Sequence, residues 1–307
     1  MLIIFIHLKL GKSMNMNKNY HYNQNNDYNN NINNKPIIDY RSIISPLLAN
    51  AVKGNTNIVL LTTGAFNPIH RMHLEILNMA YEHLLSYKNY NVLCAFISPS
   101  ADCYVRHKKP PSIPFELRCD MIQTSIDEFY EENKAEGKEQ LKIYINKWEG
   151  SHSYFIDFPE VIHEIQNELR KIGDIKLLYV CGMDHYIKCY YALQKNVIVI
   201  DRKPYQVQEN DPRFQINTKK LIFIIRDEKS KPYSSTFIRE SYQKGDLDTI
   251  RQYTFPTVDE MIIKFYDEYY GKNTNPDQNP NHNQNPNQNP NQNPNQNQNP
   301  QFDKKFQ

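Results

Sequence analysis

Ile58-Val59-Leu60-Leu61-Thr62-Thr63-Gly64-Ala65-Phe66-Asn67-Pro68-Ile69-His70-Arg71-Met72-His73-Leu74 is the stretch that decides the fold. Its first four residues form a continuous apolar run closed by Thr62-Thr63-Gly64, which reads as a buried parallel strand ending in a glycine turn. Beyond the turn, Leu74, Leu77, Met79, Ala80 and Leu84 recur at helical spacing, so a helix is expected from Met72 to Leu85. A glycine between a buried strand and a helix lets the backbone approach a phosphate closely, with N–H groups and the positive helix end aimed at it. His70 and His73 lie three apart at the start of that helix and therefore share one face. Two such donors suit phosphate oxygens. Zinc would need a third and a fourth ligand, and no neighbouring Cys or carboxylate cluster offers them.

The same alternation continues outward. Val92–Ile97 is a second apolar strand, ended by Ser98-Pro99, and Phe115–Phe129 is a helix with Leu117, Met121, Ile122, Ile126 and Phe129 on one face. Ile143–Ile145, Leu177–Val180, Val197–Ile200 and Leu221–Ile225 read as strands; Phe158–Ile172, Thr236–Gln243 and Val258–Tyr270 read as helices. Strands alternating with helices imply an α/β fold: a Rossmann-like, doubly wound parallel sheet with helices on both faces. Ligands of such sheets sit beyond the carboxyl ends of the strands, which directs attention to Gly64, Ser98 and Cys181 onward.

Composition limits what surrounds this domain. Residues 1–35 and 271–307 are dominated by Asn, Gln, Pro and charged residues, too polar to offset chain ordering, so disordered Asn-rich ends are expected around a domain at 36–270. The apolar start, Met1 to Ser13, lacks the order of a secretory signal. Cys94, Cys103, Cys119, Cys181 and Cys189 show no CxxC or zinc-finger spacing and read as reduced thiols of an intracellular protein, in cytoplasm or nucleus. A net charge of +2 argues against a nucleic-acid partner, and no apolar run approaches a membrane span.

Two further segments carry chemistry. In Lys231-Pro232-Tyr233-Ser234-Ser235-Thr236-Phe237-Ile238-Arg239, hydroxyls precede a helix. Ser234 or Ser235 can cap it. Capping needs neither the other hydroxyls nor Arg239 one turn on, which points to a second anion site. In Cys181-Gly182-Met183-Asp184-His185, a strand ends beside a carboxylate able to accept ribose hydroxyls.

These three segments, in this order, resemble the nucleotidyltransferase superfamily with its His/Thr-x-x-His and Ser-x-Thr-x-x-Arg signatures. The resemblance sharpens toward the eukaryotic-type nicotinamide/nicotinic acid mononucleotide adenylyltransferases. It runs through Gly64–Ile69 and Met72-His73-Leu74, then Ile97-Ser98-Pro99, Asp102, Tyr104, Lys108-Lys109, Ile113-Pro114 and Arg118. Lys147-Trp148-Glu149, Leu177-Leu178, Cys181–Asp184 and Ser234–Arg239 complete it. That family joins a pyridine mononucleotide to ATP, making NAD or its deamido form and pyrophosphate. The resemblance implies His70, His73 and Arg239 as catalytic residues. It implies Gly64, Ala65, Phe66, Lys108, Lys109, Arg118, Asp184, Ser234 and Thr236 on ATP and its phosphates, and Trp148 and Glu149 on the mononucleotide. It further implies Mg2+ bridging the ATP phosphates without a protein metal site, ATP and the mononucleotide as partners, and leaves homo-oligomerisation open.

This chain departs from the family in two places. Ala65 stands where the eukaryotic enzymes usually have serine, and the segment after Asp184 is short and lacks a second tryptophan, so Tyr190 or Tyr191 would have to serve. The competing expectations are a superfamily relative with another substrate, such as a cytidylyltransferase, and a non-catalytic ATP-binding regulatory protein.

Deleting the residues after Lys272 is expected to leave the melting temperature almost unchanged, because an Asn-Pro-rich repeat contributes no core burial. Thermal unfolding of the truncated chain checks this; a cooperative loss of stability would show that the tail docks.

Overall fold

The computed structural model describes residues 38–106, 111–135, 137, 140–203, 206, 211, 214–228 and 234–273. The expected Asn-rich ends lie outside the described residues except for 271–273, which the structure places in the last helix instead of the tail; Lys108 and Lys109 also lie outside them.

Six strands form one parallel sheet: β1 (Thr56–Gly64), β2 (Tyr90–Pro99), β3 (Ile143–Ile145), β4 (Ile175–Gly182), β5 (Val197–Arg202) and β6 (Ile222–Asp227). Their order across the sheet is β3-β2-β1-β4-β5-β6. The chain winds outward from β1 to β3, then returns to the other side of β1 and winds outward again. That reversal opens a crevice between the carboxyl ends of β1 and β4, the place where open α/β sheets bind ligands.

Strand alternation builds a core on each face. Ile58 and Leu60 of β1, Ala95 and Ile97 of β2, and Leu178 and Val180 of β4 face one side. They pack there with α2 (Arg71–Leu85), α4 (Phe115–Ala135) and α9 (Pro256–Asn273) through Leu74, Leu77, Met121, Ile122 and Ile262. Val59 and Leu61, Cys94 and Phe96, and Leu177 and Tyr179 face the other side. There they meet α1 (Tyr40–Ala49) and α5 (Phe158–Arg170) through Ile44, Val161, Ile165 and Leu169. All five cysteines are free thiols, and no described helix is long and apolar enough to cross a membrane.

The strands outlast their apolar runs. β1 continues through Thr62, Thr63 and Gly64 because each pairs with a residue of β2, Ile97, Ser98 and Pro99 in turn. Four helices go beyond the sequence reading: α1, α3 (Asp102–Arg106), α6 (Met183–Lys188) and α8 (Leu247–Tyr253). Of these, α1 does carry apolar residues at helical spacing, Ile43, Ile44, Leu47 and Leu48. α1 even contains Pro46, and its cap is Asp39, which accepts from the N–H groups of Arg41 and Ser42. Tertiary contacts complete it: Tyr40 and Ile44 are buried, and Asn146 donates to the Tyr40 hydroxyl at 2.6 Å. α7 (Ser235–Gln243) begins one residue earlier than its sequence pattern.

Gly150 is buried against Phe115 so closely that a Cβ there would lie 1.8 Å from the ring. Gly150→Ala is therefore expected to cost about 1–3 kcal/mol by overpacking. Urea denaturation checks it, and Phe115→Leu in the same chain is expected to restore part of the loss.

Candidate active site

The loop after β1 is fixed from several directions. Ser100 donates its backbone N–H to the Gly64 carbonyl at 2.9 Å, joining the ends of β1 and β2. Phe66 has φ 44°, left-handed backbone that a bulky side chain rarely adopts. Its buried ring lies over Gly64, where a Cβ would come within 3.3 Å, and stands edge-on to His73 at 4.8 Å. Strain of this kind, about 1–3 kcal/mol, persists only where the surroundings over-determine it. Asn67 does much of that work: its amide donates to the Pro111 carbonyl at 3.2 Å, and its side-chain oxygen accepts from Ile113 N–H at 2.9 Å.

His70 and His73 stack with ring centroids 3.7 Å apart. The backbone N–H of His70 donates to Nδ1 of His73 at 3.1 Å. A neutral imidazole with Nδ1 accepting carries its proton on Nε2, so His73 keeps a donor at its outer edge. Burial, reinforced by the charge of Arg202, pushes His73 down to about 3. Burial, His73 and Arg202 together lower His70 as well. Both rings are therefore neutral at pH 7. His70 is buried and His73 only half-buried, which leaves His73 the more accessible donor.

The second anion segment folds onto this loop. Ser235 donates its hydroxyl to the Pro68 carbonyl at 2.7 Å, and Arg239 donates to the Asn67 carbonyl and, at 3.0 Å, to the Thr236 hydroxyl. Residues about 170 apart in sequence are thereby held together at the N-terminus of α7. Ser234 is the helix cap, its hydroxyl accepting from Phe237 N–H at 3.0 Å. Asp184 opens α6 across the crevice, where a Cβ on Gly182 would meet its carboxylate at 2.8 Å.

Arg118 sits differently from the expectation of a phosphate contact. It is fully buried, donating to the carbonyls of Ile113 (3.0 Å), Ala65 (2.7 Å) and Ser100 (2.7 Å) and to the Asp102 carboxylate (3.0 Å). A guanidinium so engaged clamps the loop from behind.

Trp148 is half-buried, one part against the α1/α5 core. Its backbone N–H donates to the side-chain oxygen of Asn146 at 3.0 Å, and the His152 ring stands against the indole at 4.8 Å. Glu149 is buried, accepting from the Ser98 hydroxyl at 2.8 Å. Burial pushes its carboxyl up to about 7, against the lowering effects of Ser100, Ser98 and Arg118.

A match to the cytidylyltransferase-like family model covers residues 61–241, from the end of β1 through most of α7. The chain belongs to the cytidylyltransferase-like family. It is 28% identical over 134 residues to the nicotinamide/nicotinic acid mononucleotide adenylyltransferase of Arabidopsis thaliana, covering 42% of this chain and 50% of that protein. It is 41% identical over 114 residues to nicotinamide/nicotinic acid mononucleotide adenylyltransferase 1 of Bos taurus, covering 37% and 36%. The chain thus matches half or less of the length of these curated relatives. A solved structure of Plasmodium falciparum nicotinic acid mononucleotide adenylyltransferase complexed with NaAD aligns over 70% of this chain and 98% of that one, at 18% identity and TM-score 0.49.

Within this cytidylyltransferase-like chain, among the described residues, neither expected substitute for the second tryptophan makes a ring contact with Trp148. Tyr190 packs on Tyr186 and Phe214, at 5.8 and 6.1 Å, and Tyr191 is 94% exposed. Three contributors were not singled out from sequence: Asn67, Ser235 as a tether, and Arg202. Arg202 had one signal, a cation two residues past the apolar run of β5.

The Glu149 carboxyl gives a pH test. Its folded value of about 7 exceeds the ordinary 4.5, so the folded state holds this proton more tightly. The stability it contributes is complete below pH 4.5 and lost as pH rises through 7, about 3 kcal/mol in all. Glu149→Gln is expected to raise stability at pH 8 relative to the parent and to do so little at pH 4.5, read from urea midpoints at both pH values.

Proposed function

We propose that this chain transfers the adenylyl group of ATP to a pyridine mononucleotide, nicotinamide or nicotinate, forming NAD or its deamido form and releasing pyrophosphate. The observation that carries this reading is the contact of Ser235 and Arg239 with the carbonyls of Pro68 and Asn67, which joins two anion-binding segments into one site at the β1/β4 crevice. The names of the Arabidopsis thaliana and Bos taurus relatives support the choice of substrates.

The nucleophile is a phosphate monoester, mostly dianionic at neutral pH because its second pKa is about 6. It needs no general base. One of its oxygens bonds to the α-phosphorus of ATP as the bond to the β-phosphate oxygen breaks, and pyrophosphate leaves with the electron pair. Catalysis then consists of positioning and of neutralising charge. The backbone N–H groups of Ala65 and Phe66 beyond Gly64, Nε2–H of His73, the Thr236 hydroxyl and Arg239 supply donors to the phosphates. Lys108 and Lys109 join them by resemblance. His70 holds the His73 ring through its own N–H, Asp184 receives ribose hydroxyls, and Trp148 with Glu149 borders the pyridine. In this assignment Arg118 and Ser234 position the phosphate loops and do not touch the substrate. Among the described residues no group of three or more His, Cys, Asp or Glu could hold a metal ion. Mg2+ brought in with ATP would offset charge on the departing pyrophosphate.

Incubation with ATP and each mononucleotide should yield dinucleotide and pyrophosphate in equal amounts; no dinucleotide from either would overturn the assignment. His73→Ala should lower turnover by about a hundredfold or more, the scale of one preorganised donor. Mononucleotide binding should change far less. Trp148, the single tryptophan, reports that binding by quenching of its fluorescence. Trp148→Ala should raise the KM for the mononucleotide and leave that for ATP nearly unaltered.

A further inference from the structure

Pyridine mononucleotides come with a carboxamide or a carboxylate on the ring. A carboxamide both donates and accepts hydrogen bonds, whereas an ionised carboxylate only accepts. Selection between them therefore turns on whether the protein group at that end of the ring donates or accepts.

We propose that His152 makes this selection and favours the carboxamide; the inference rests on the adenylyl-transfer reading above and names the substrate for that same site. The imidazole stands against the indole of Trp148, 68° from parallel with centroids 4.8 Å apart, so it borders any ring that binds at that indole. Its orientation is pinned. Nδ1 lies 2.7 Å from the Trp148 carbonyl, and a carbonyl only accepts, so Nδ1 carries the proton. In the neutral ring Nε2 is then a lone pair on the far side from this bond. That lone pair accepts from a carboxamide N–H and repels a carboxylate oxygen. Tyr154 backs the imidazole at 5.2 Å and helps fix its plane.

The charged side chains beside Trp148 are engaged elsewhere. Lys147 is paired with Glu116 at 3.0 Å. Glu149, next to Trp148, presents a buried carboxyl bonded to Ser98. The two tyrosines expected to take part are placed elsewhere, Tyr190 on Tyr186 and Tyr191 in solvent. His152 is thus the ring placed to read the substituent.

The test uses the full chain at pH 8, with kcat/KM for the carboxamide and carboxylate mononucleotides and Trp148 quenching by each. The parent is expected to prefer the carboxamide. His152→Phe keeps a ring against the indole but removes the acceptor, and should lower the carboxamide-to-carboxylate ratio about tenfold, the loss of one hydrogen bond. His152→Arg, a donor only, should invert the preference. His152→Gln, whose side-chain carbonyl accepts, should restore most of it. A merely structural residue would lower both rates together and leave the ratio alone. A carboxylate preference in the parent, or a ratio unchanged within about twofold in folded Phe and Arg variants, overturns the inference while the adenylyl-transfer reading stands. Absence of both turnover and quenching with either mononucleotide overturns that reading and this inference with it.

Discussion

The buried guanidinium of Arg118 is the constraint on which the carboxyl edge of the sheet depends. Withdrawing such a charge from water is costly, and leaving its partners unsatisfied would cost more. The structure meets both demands by converging the carbonyls of Ala65, Ser100 and Ile113 and the carboxylate of Asp102 on one side chain. These acceptors come from the loop after β1, the end of β2, and the approach to α4. Fixing them together sets where the N–H groups beyond Gly64 point.

That clamp explains how a left-handed Phe66 is tolerated. The loop is held behind by Arg118, at its side by Asn67 on the 111–113 segment, and in front by Ser235 and Arg239 of α7. In return the Phe66 ring packs against His73, whose own position is fixed by the His70 N–H. Burial that keeps both imidazoles neutral also lowers the dielectric around them. A neutral donor in such a place interacts with a phosphate more strongly than the same donor in water.

Glu149 and His152 extend the chain of contacts to the far side of the crevice. Glu149 accepts from Ser98 at the end of β2, close to where Ser100 meets both Gly64 and Arg118. The proposed ring slot at Trp148 and the phosphate loop are thereby built on the same strand end, so their separation is set by the sheet.

By itself the sequence determined the alternation of strands and helices, the two faces of the sheet, and the three segments that collect at its carboxyl edge. These follow from local periodicity and from backbone chemistry at Gly64 and Gly182, which need no distant partner to be read. Only the tertiary structure decided that Arg118 points inward, that Ser234 caps while Ser235 tethers, that Tyr190 packs on Tyr186 and Phe214, and that the charge of Arg202 acts on the histidine pair. Where a side chain could either face a ligand or satisfy buried carbonyls, its identity is the same in both cases. The choice is made by whichever acceptors the fold brings within reach, as it is for Arg118 through residues 65, 100, 102 and 113.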